Sequence, residues 1–146
     1  MIDITKIDLI VFDFDGVLTD NKVLVDQNGN ESVSCSRSDG LGFDVLKILR
    51  KSAYIISTEK NLVVSARAKK LNIPVLQGVR DKSHIIKNIS KEKNVKLSKI
   101  LFVGNDLNDY YAMQLCGYSA CPSDSHPKIK DIASFVLKTK GGNGVL

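Results

Sequence analysis

Short apolar runs alternate along this chain with longer amphipathic stretches. The first run, Ile7 to Phe12, is continuously apolar apart from Asp8 and ends abruptly in Asp13-Phe14-Asp15-Gly16. An uninterrupted run of that kind reads as a strand buried on both faces, as in a parallel sheet. Further strands are predicted over 53–57, 75–76, 99–103, 118–121 and 135–137. Helices are predicted over 43–51, 62–71, from Asp81 or Lys82 through Ile89, over 110–116, and as a turn over 128–133. Leu41, Val45, Leu46 and Leu49 form the expected buried stripe of the first helix, and Ile85, Ile86 and Ile89 that of the third. Strands alternating with helices predict an α/β fold, a Rossmann-like parallel sheet with helices on both faces and right-handed crossovers. Residues 1–146 show no repeat and no composition break, so one domain is expected.

One segment departs from the alternation. Lys22 to Asp26 and Glu31 to Ser36 are two short predicted strands flanking Gln27-Asn28-Gly29-Asn30. Asn-Gly is a strong hairpin signal, because both central residues of the turn must accept positive φ. A hairpin over about 22–36 is too small to be a separate cap domain. It is marginal alone, so packing against another copy of the chain is expected. The Gly141-Gly142-Asn143-Gly144 segment is expected to be flexible.

The chemistry concentrates where apolar runs stop. Open α/β sheets place ligands at the carboxyl ends of their strands. Asp13 and Asp15 fall at the end of the first strand, and alternation sends both to one side with Phe14 to the other. Two carboxylates that close repel unless a cation lies between them or one holds a proton. Oxygen donors suit a hard cation such as Mg²⁺, which uses few protein carboxylates. Three more polar stations follow strands or open helices: Ser57/Thr58, Lys82, and Asn105/Asp106/Asp109. Each has an ordinary structural alternative. Ser57 or Thr58 suits a helix cap, and Lys82 a surface lysine, although a cation is disfavoured at a helix start. Asp109 suits either orienting Lys82 or capping the following helix. Arg37 and Lys60 are candidates for a substrate carboxylate among 21 basic residues. His84 and His126 are expected at the surface.

Composition narrows the classes without choosing among them. An apolar share of 43% and a charged share of 25% are ordinary for a globular chain. No run is long enough to span a bilayer, and Asp3 and Asp8 interrupt any leader-like stretch, so a cytoplasmic location is expected. Cys35, Cys116 and Cys121 lack metal-ligand spacing and read as reduced packing residues. The net charge of +5 is of the sign that steers an anionic substrate, although a modest lysine excess is more often a solvated surface, and no aromatic interleaving points to nucleic acid.

In order, the four stations resemble the motifs of the haloacid dehalogenase superfamily of phosphohydrolases. Asp13-Phe14-Asp15-Gly16-Val17-Leu18-Thr19-Asp20, the hairpin, Asp39-Gly40-Leu41-Gly42, Gln77-Gly78 before Asp81-Lys82, and the glycine-rich segment resemble its small cap-less members. Those include phosphatases of 3-deoxy-D-manno-octulosonate 8-phosphate and of sialic acid 9-phosphates, and domains attached to acylneuraminate cytidylyltransferases. The resemblance implies Asp13 as nucleophile and Asp15 as general acid and base. It implies Ser57, with Thr58 beside it, and Lys82 on the phosphoryl group. Mg²⁺ would be held by the Asp13 carboxylate, the Asp15 carbonyl and Asn105 or Asp106. It further implies a homotetramer acting in lipopolysaccharide or sialic acid biosynthesis.

The chain departs from that pattern in particular places. Asn105 stands where the family carries an aspartate ligand, Ser38 precedes Asp39 where arginine is frequent, and no longer extension follows Val145-Leu146. Ser57-Thr58-Glu59-Lys60-Asn61 leans toward the acylneuraminate-associated branch. The alternative function is therefore a weakly active or inactive oligomerisation module beside a cytidylyltransferase.

Overall fold

The computed structural model describes residues 3–146. Its centre is β1 (Leu9–Phe12), all four residues of which are buried. Around it lie β4 (Ser52–Ile56), β5 (Val75–Leu76), β6 (Ile100–Val103), β7 (Tyr118–Cys121) and β8 (Phe135–Val136), in the order β5-β4-β1-β6-β7-β8. Every pair in this sheet is parallel. The connections are α1 (Ser38–Ile48), α2 (Val63–Leu71), α3 (Lys82–Glu92), α4 (Tyr110–Leu115) and α5 (Pro127–Ile132).

Strand alternation divides the core in two. Ile10, Phe12, Ile55, Leu101 and Val103 pack on one face with Phe43 of α1 and Val64 and Ala68 of α2. Leu9, Val11, Ile56, Ile100 and Phe102 pack on the other with Ile86 and Ile89 of α3, Met113 of α4 and Ile129 of α5. Strand order reverses at β1, between β4 and β6, and a crevice forms there at the carboxyl ends of the strands.

Several local expectations need correction. Helix α1 starts at Ser38, so Asp39-Gly40-Leu41-Gly42 lies within its first turns, and it ends at Ile48. Its fully buried residues are Asp39 and Phe43, and Leu46 of the expected stripe packs half-buried against the same core, while Leu41 is 71% and Ile48 79% exposed, and Val45 and Leu49 are exposed too. The reason is local: the Phe43 ring meets Phe12 edge-to-face at 5.3 Å, and that contact sets which side turns inward.

The hairpin strands are shorter than expected, β2 (Leu24–Val25) and β3 (Glu31–Ser32), paired antiparallel. Its turn has positive φ at Gly29 but not at Asn28. The Asp26 carboxylate accepts from Asn28 N, Asn30 N and Asn30 Nδ2, which organises a wider turn than a two-residue one.

The glycine-rich segment is docked rather than loose. Gly141 N donates to Asp124 Oδ1, Gly142 N to the Val17 carbonyl, and Leu146 N to Asp39 Oδ1. His126 is half-buried, and its Nδ1 accepts from Lys128 N at the start of α5. His84 is exposed, as expected.

Candidate active site

Asp13 follows the last residue of β1, and its N–H still donates to the Val103 carbonyl, so the central sheet holds its backbone. Its Oδ1 accepts from Phe14 N at 2.7 Å and pairs with Lys82 Nζ at 2.7 Å. Lys82 is the first residue of α3, whose N-cap Asp81 accepts from His84 N at 3.1 Å. The same ammonium donates to Asp109 Oδ1 at 2.6 Å. Asp109 turns its other oxygen to Asn105 N at 2.8 Å and Asp106 N at 3.3 Å. It therefore orients Lys82 and also completes the capping box that Asp106 opens.

All three charged groups are nearly sealed from solvent, at 4% exposure for Asp13, 2% for Lys82 and none for Asp109. One cation between two buried carboxylates leaves a negative balance. Burial, and then the neighbouring Asp109 charge, push Asp13 up to about 8 against the pull of Lys82. Burial works against the charge on Lys82, but Asp13 and Asp109 outweigh it and hold the ammonium above its ordinary value. Asp15 is half-buried, and burial followed by the Glu59 charge raises its carboxyl, with a hydrogen bond from Thr19 opposing.

Asp13, Asp15, Asn21, Thr58, Asn105, Asp106 and Asn108 surround a cavity of about 230 Å³. Asn105 is buried, and its Oδ1 has no hydrogen-bond partner. Gly16, at φ +79°, lies so close that a Cβ there would stand 1.9 Å from Asn105 Nδ2. An orphaned amide oxygen beside the carboxylates of Asp13, Asp15 and Asp106 is an all-oxygen donor set that fits a hard divalent cation. Among the described residues, no three acidic, histidine or cysteine side chains form a metal cage by themselves. The Asn105 amide supplies a further oxygen at the same wall, which an all-carboxylate cage would not need.

Other candidates fall at varying distances from the cavity. Ser57 is fully buried at the end of β4, and its Oγ accepts from Glu59 N at 3.1 Å. Thr58 is exposed and lines the cavity, its Oγ1 at 3.4 Å from Asn108 Nδ2. Neither caps α2, which follows Leu62. Arg37, exposed before α1, and Lys60, exposed beyond β4, do not line the cavity. Asn21 and Asn108 line it although the pattern of stations did not single them out. Asn108 sits inside the fourth station, and Asn21 directly follows the Thr19-Asp20 end of the first, so proximity to those motifs was the available signal.

A family model described as haloacid dehalogenase-like hydrolase matches residues 43–146. The chain belongs to the haloacid dehalogenase-like hydrolases. Its enzymatic class is that of the phosphoric monoester hydrolases. The matched stretch begins after Asp13 and Asp15, but whole-chain similarities include them. The 3-deoxy-D-manno-octulosonate 8-phosphate phosphatase KdsC of Escherichia coli (strain K12) is 29% identical over 142 residues, 97% of this chain and 76% of that protein. A haloacid dehalogenase family hydrolase from Streptomyces avermitilis superimposes with a TM-score of 0.97 at 39% identity, covering 99% of this chain and 83% of that one. The 3-deoxy-D-manno-octulosonate 8-phosphate phosphatase of Moraxella catarrhalis, solved with magnesium ion, phosphate ion and KDO, gives 0.93 at 28% identity, covering 97% and 82%.

Proposed function

We propose that this chain is a Mg²⁺-dependent phosphatase of a sugar-acid phosphate, either 3-deoxy-D-manno-octulosonate 8-phosphate or a nonulosonate (sialic acid) 9-phosphate. The observation that carries this reading is the Asp13 carboxylate, tied through one oxygen to Phe14 N and Lys82 Nζ. Its Oδ2 is left to attack. The KdsC relatives and the magnesium, phosphate and KDO complex support the substrate class and the metal.

In this reading Asp13 Oδ2 attacks phosphorus and an aspartyl-phosphate forms as the ester P–O bond breaks. Asp15, whose carboxyl is raised by burial above its ordinary value, in the direction a proton donor needs, gives its proton to the departing sugar oxygen. It then takes a proton from the water that cleaves the acyl-phosphate and releases inorganic phosphate. Lys82 faces the developing negative charge, with Asp109 holding its ammonium in place. Thr58 at the cavity wall, with Ser57 behind it, would contact phosphoryl oxygens. Asp13, Asn105 and Asp106, with the Asp15 carbonyl, would hold Mg²⁺, which when bound screens the repulsion between carboxylate and phosphate. Lys60 and Arg37 would serve a substrate carboxylate only from outside the cavity described. The reaction would take place in the cytoplasm, within a homotetramer.

The test is phosphate release from both sugar-acid phosphates, with millimolar Mg²⁺ and with chelator. We expect turnover that needs the metal and falls at least about a thousandfold in Asp13→Asn. Absence of release across a broad panel of such substrates would overturn the reading. Asn105 favours the second one: a neutral ligand weakens the cation site, as in a weakly active or inactive module working beside an acylneuraminate cytidylyltransferase. Residual turnover indifferent to Asp13→Asn, with co-purification of such an enzyme, would favour that module.

A further inference from the structure

A second cavity, of about 280 Å³, opens on the far side of Asp15 between the hairpin and the segment after β4. Lys22, Glu31 and Glu59 are among its lining residues. It shares two residues with the cavity around Asp13, namely Asp15 and Asn21. Asp13 lines the first cavity and not the second. In an in-line displacement the leaving oxygen departs on the side away from the nucleophile, and its proton donor must reach it there. Asp15 borders both cavities, so the second is where the organic part of the ester lies.

Asn21 stands at that junction with an unusual backbone. Its φ is +62°, in the left-handed region that asparagine tolerates better than most residues. Its N–H donates to Thr19 Oγ1 at 3.2 Å, and the same buried hydroxyl accepts from Gly16 N at 3.1 Å. The backbone of Asn21 is thus tied to the loop that positions Asp15. Asn21 is exposed at the junction of the two cavities, so its side-chain amide is open to a ligand. A primary amide offers both a donor and an acceptor, the complement of an alcohol.

We propose that Asn21 is a specificity-determining residue, hydrogen-bonding a hydroxyl on the carbon next to the phosphate-bearing carbon of the leaving group. This rests on the phosphatase reading and deepens it, since it defines the substrates as phosphates of polyhydroxylated chains rather than of bare alcohols or phenols. The amide recognises the substrate; it transfers no proton.

The test compares Asn21→Gly with the parent on two substrates in millimolar Mg²⁺. Glycine keeps the left-handed backbone without penalty and removes only the amide. One substrate is p-nitrophenyl phosphate, which has no hydroxyl. The other is a sugar-acid phosphate or, if neither is hydrolysed, glucose 6-phosphate. We expect kcat/KM for the hydroxylated substrate to fall about five- to tenfold, chiefly through KM. The loss on p-nitrophenyl phosphate should be clearly smaller than on the hydroxylated substrate, and the thermal midpoint should stay close to the parent value. Equal losses on both substrates, or no loss on either, would overturn the role of Asn21. If the parent hydrolyses glucose 6-phosphate but not the sugar acids, the substrate class proposed above falls while the ratio still decides Asn21. If it hydrolyses nothing, both proposals fall.

Discussion

The Nζ atom of Lys82 is shared by two buried carboxylates, 2.7 Å from Asp13 and 2.6 Å from Asp109. Burial first, and then the Asp109 charge that one ammonium cannot also neutralise, drive Asp13 up to about 8. This has a measurable consequence for the metal-free protein. The unfolded chain loses the Asp13 proton near the ordinary carboxylate value of 3.8, whereas the folded chain keeps it until about 8. The folded state therefore binds more protons across that window, and stability falls as pH rises through it, levelling out above about 8. Urea unfolding with chelator between pH 5 and 9 should show this decline, and Asp13→Asn should lack its share of it. An equal slope in both proteins would mean that Asp13 is ionised throughout. Asn105 belongs to the same balance, because a carboxylate there would add a second unneutralised charge. Asn105→Asp should tighten Mg²⁺ binding on the order of tenfold by restoring a charged ligand. It should also lower metal-free stability. Calorimetric titration measures the first effect and unfolding the second; unchanged Mg²⁺ affinity would show that position 105 does not face the ion.

Elements were readable from the sequence where burial was symmetrical and local. Leu9–Phe12 and Ile100–Val103 are buried along their whole lengths, so an apolar run bounded by polar turns was sufficient signal. Asp13, Asp15, Lys82 and Asp109 were readable as candidates because each sits at a strand end or helix start. Asp109 orienting Lys82 was one of two readings open for that residue; that the same ammonium also pairs with Asp13 was not readable, because that depends on how α3 and the segment after β6 meet β1 across the sheet. Helix α1 was misread because apolar residues occur on more than one side of it, and only the packing of Phe43 on Phe12 selects the inner face. Asp39, buried in that helix, finds its partner in Leu146 N, 107 residues away, which no local pattern encodes. The segment from Gly141 was misread for a similar reason. Glycine content suggested flexibility, but here glycine permits close approach: a Cβ at Gly141 would stand 2.1 Å from the Gly16 carbonyl oxygen. Gly141→Ala should push this strap off the loop that carries Asp15. We expect a loss of roughly 1–3 kcal/mol, as for other overpacked sites, and lower kcat. Gly29→Ala in the hairpin turn, with nothing within 4 Å of the new methyl but a φ of +80°, is the control. It should cost about 1–2 kcal/mol with kcat unchanged. Thermal unfolding paired with turnover separates the two, and an unaltered kcat in Gly141→Ala would show that the strap does not position the loop.

At the scale of the whole molecule, the apolar surface is distributed in a way that a lone chain does not explain. Both faces of β2 are exposed, with Leu24 at 76% and Val25 at 60%, and Val23 beside them is at 51%. In a two-stranded hairpin lying on its own core, alternation would bury one of the two strand residues. Helix α1 and the Leu49 that caps it add Leu41, Val45, Ile48 and Leu49 to the exposed set. Three consecutive exposed apolar residues, Val23, Leu24 and Val25, fit an association surface, and a hairpin with no third strand needs a partner for its own stability. The hairpin is also clipped to the segment after β4, Asn61 Nδ2 donating at 2.9 Å to Oε2 of Glu31, a lining residue of the second cavity, so whatever covers the hairpin bears on that cavity. Self-association through the hairpin, as the proposed homotetramer requires, makes a definite prediction. Sedimentation of the parent chain should give a mass several times 16.0 kDa. Leu24→Asp with Val25→Asp should shift it toward the single-chain mass, because burying two unpaired carboxylates in an interface is strongly unfavourable. The far-ultraviolet spectrum should keep the signature of the parallel sheet, to which the hairpin contributes no strand. In the dissociated variant KM should rise for hydroxylated substrates more than for p-nitrophenyl phosphate, since the second cavity loses support on its hairpin side. A parent chain that sediments at 16.0 kDa at micromolar concentration would leave the exposed residues to a different protein and remove the homotetramer from the proposal.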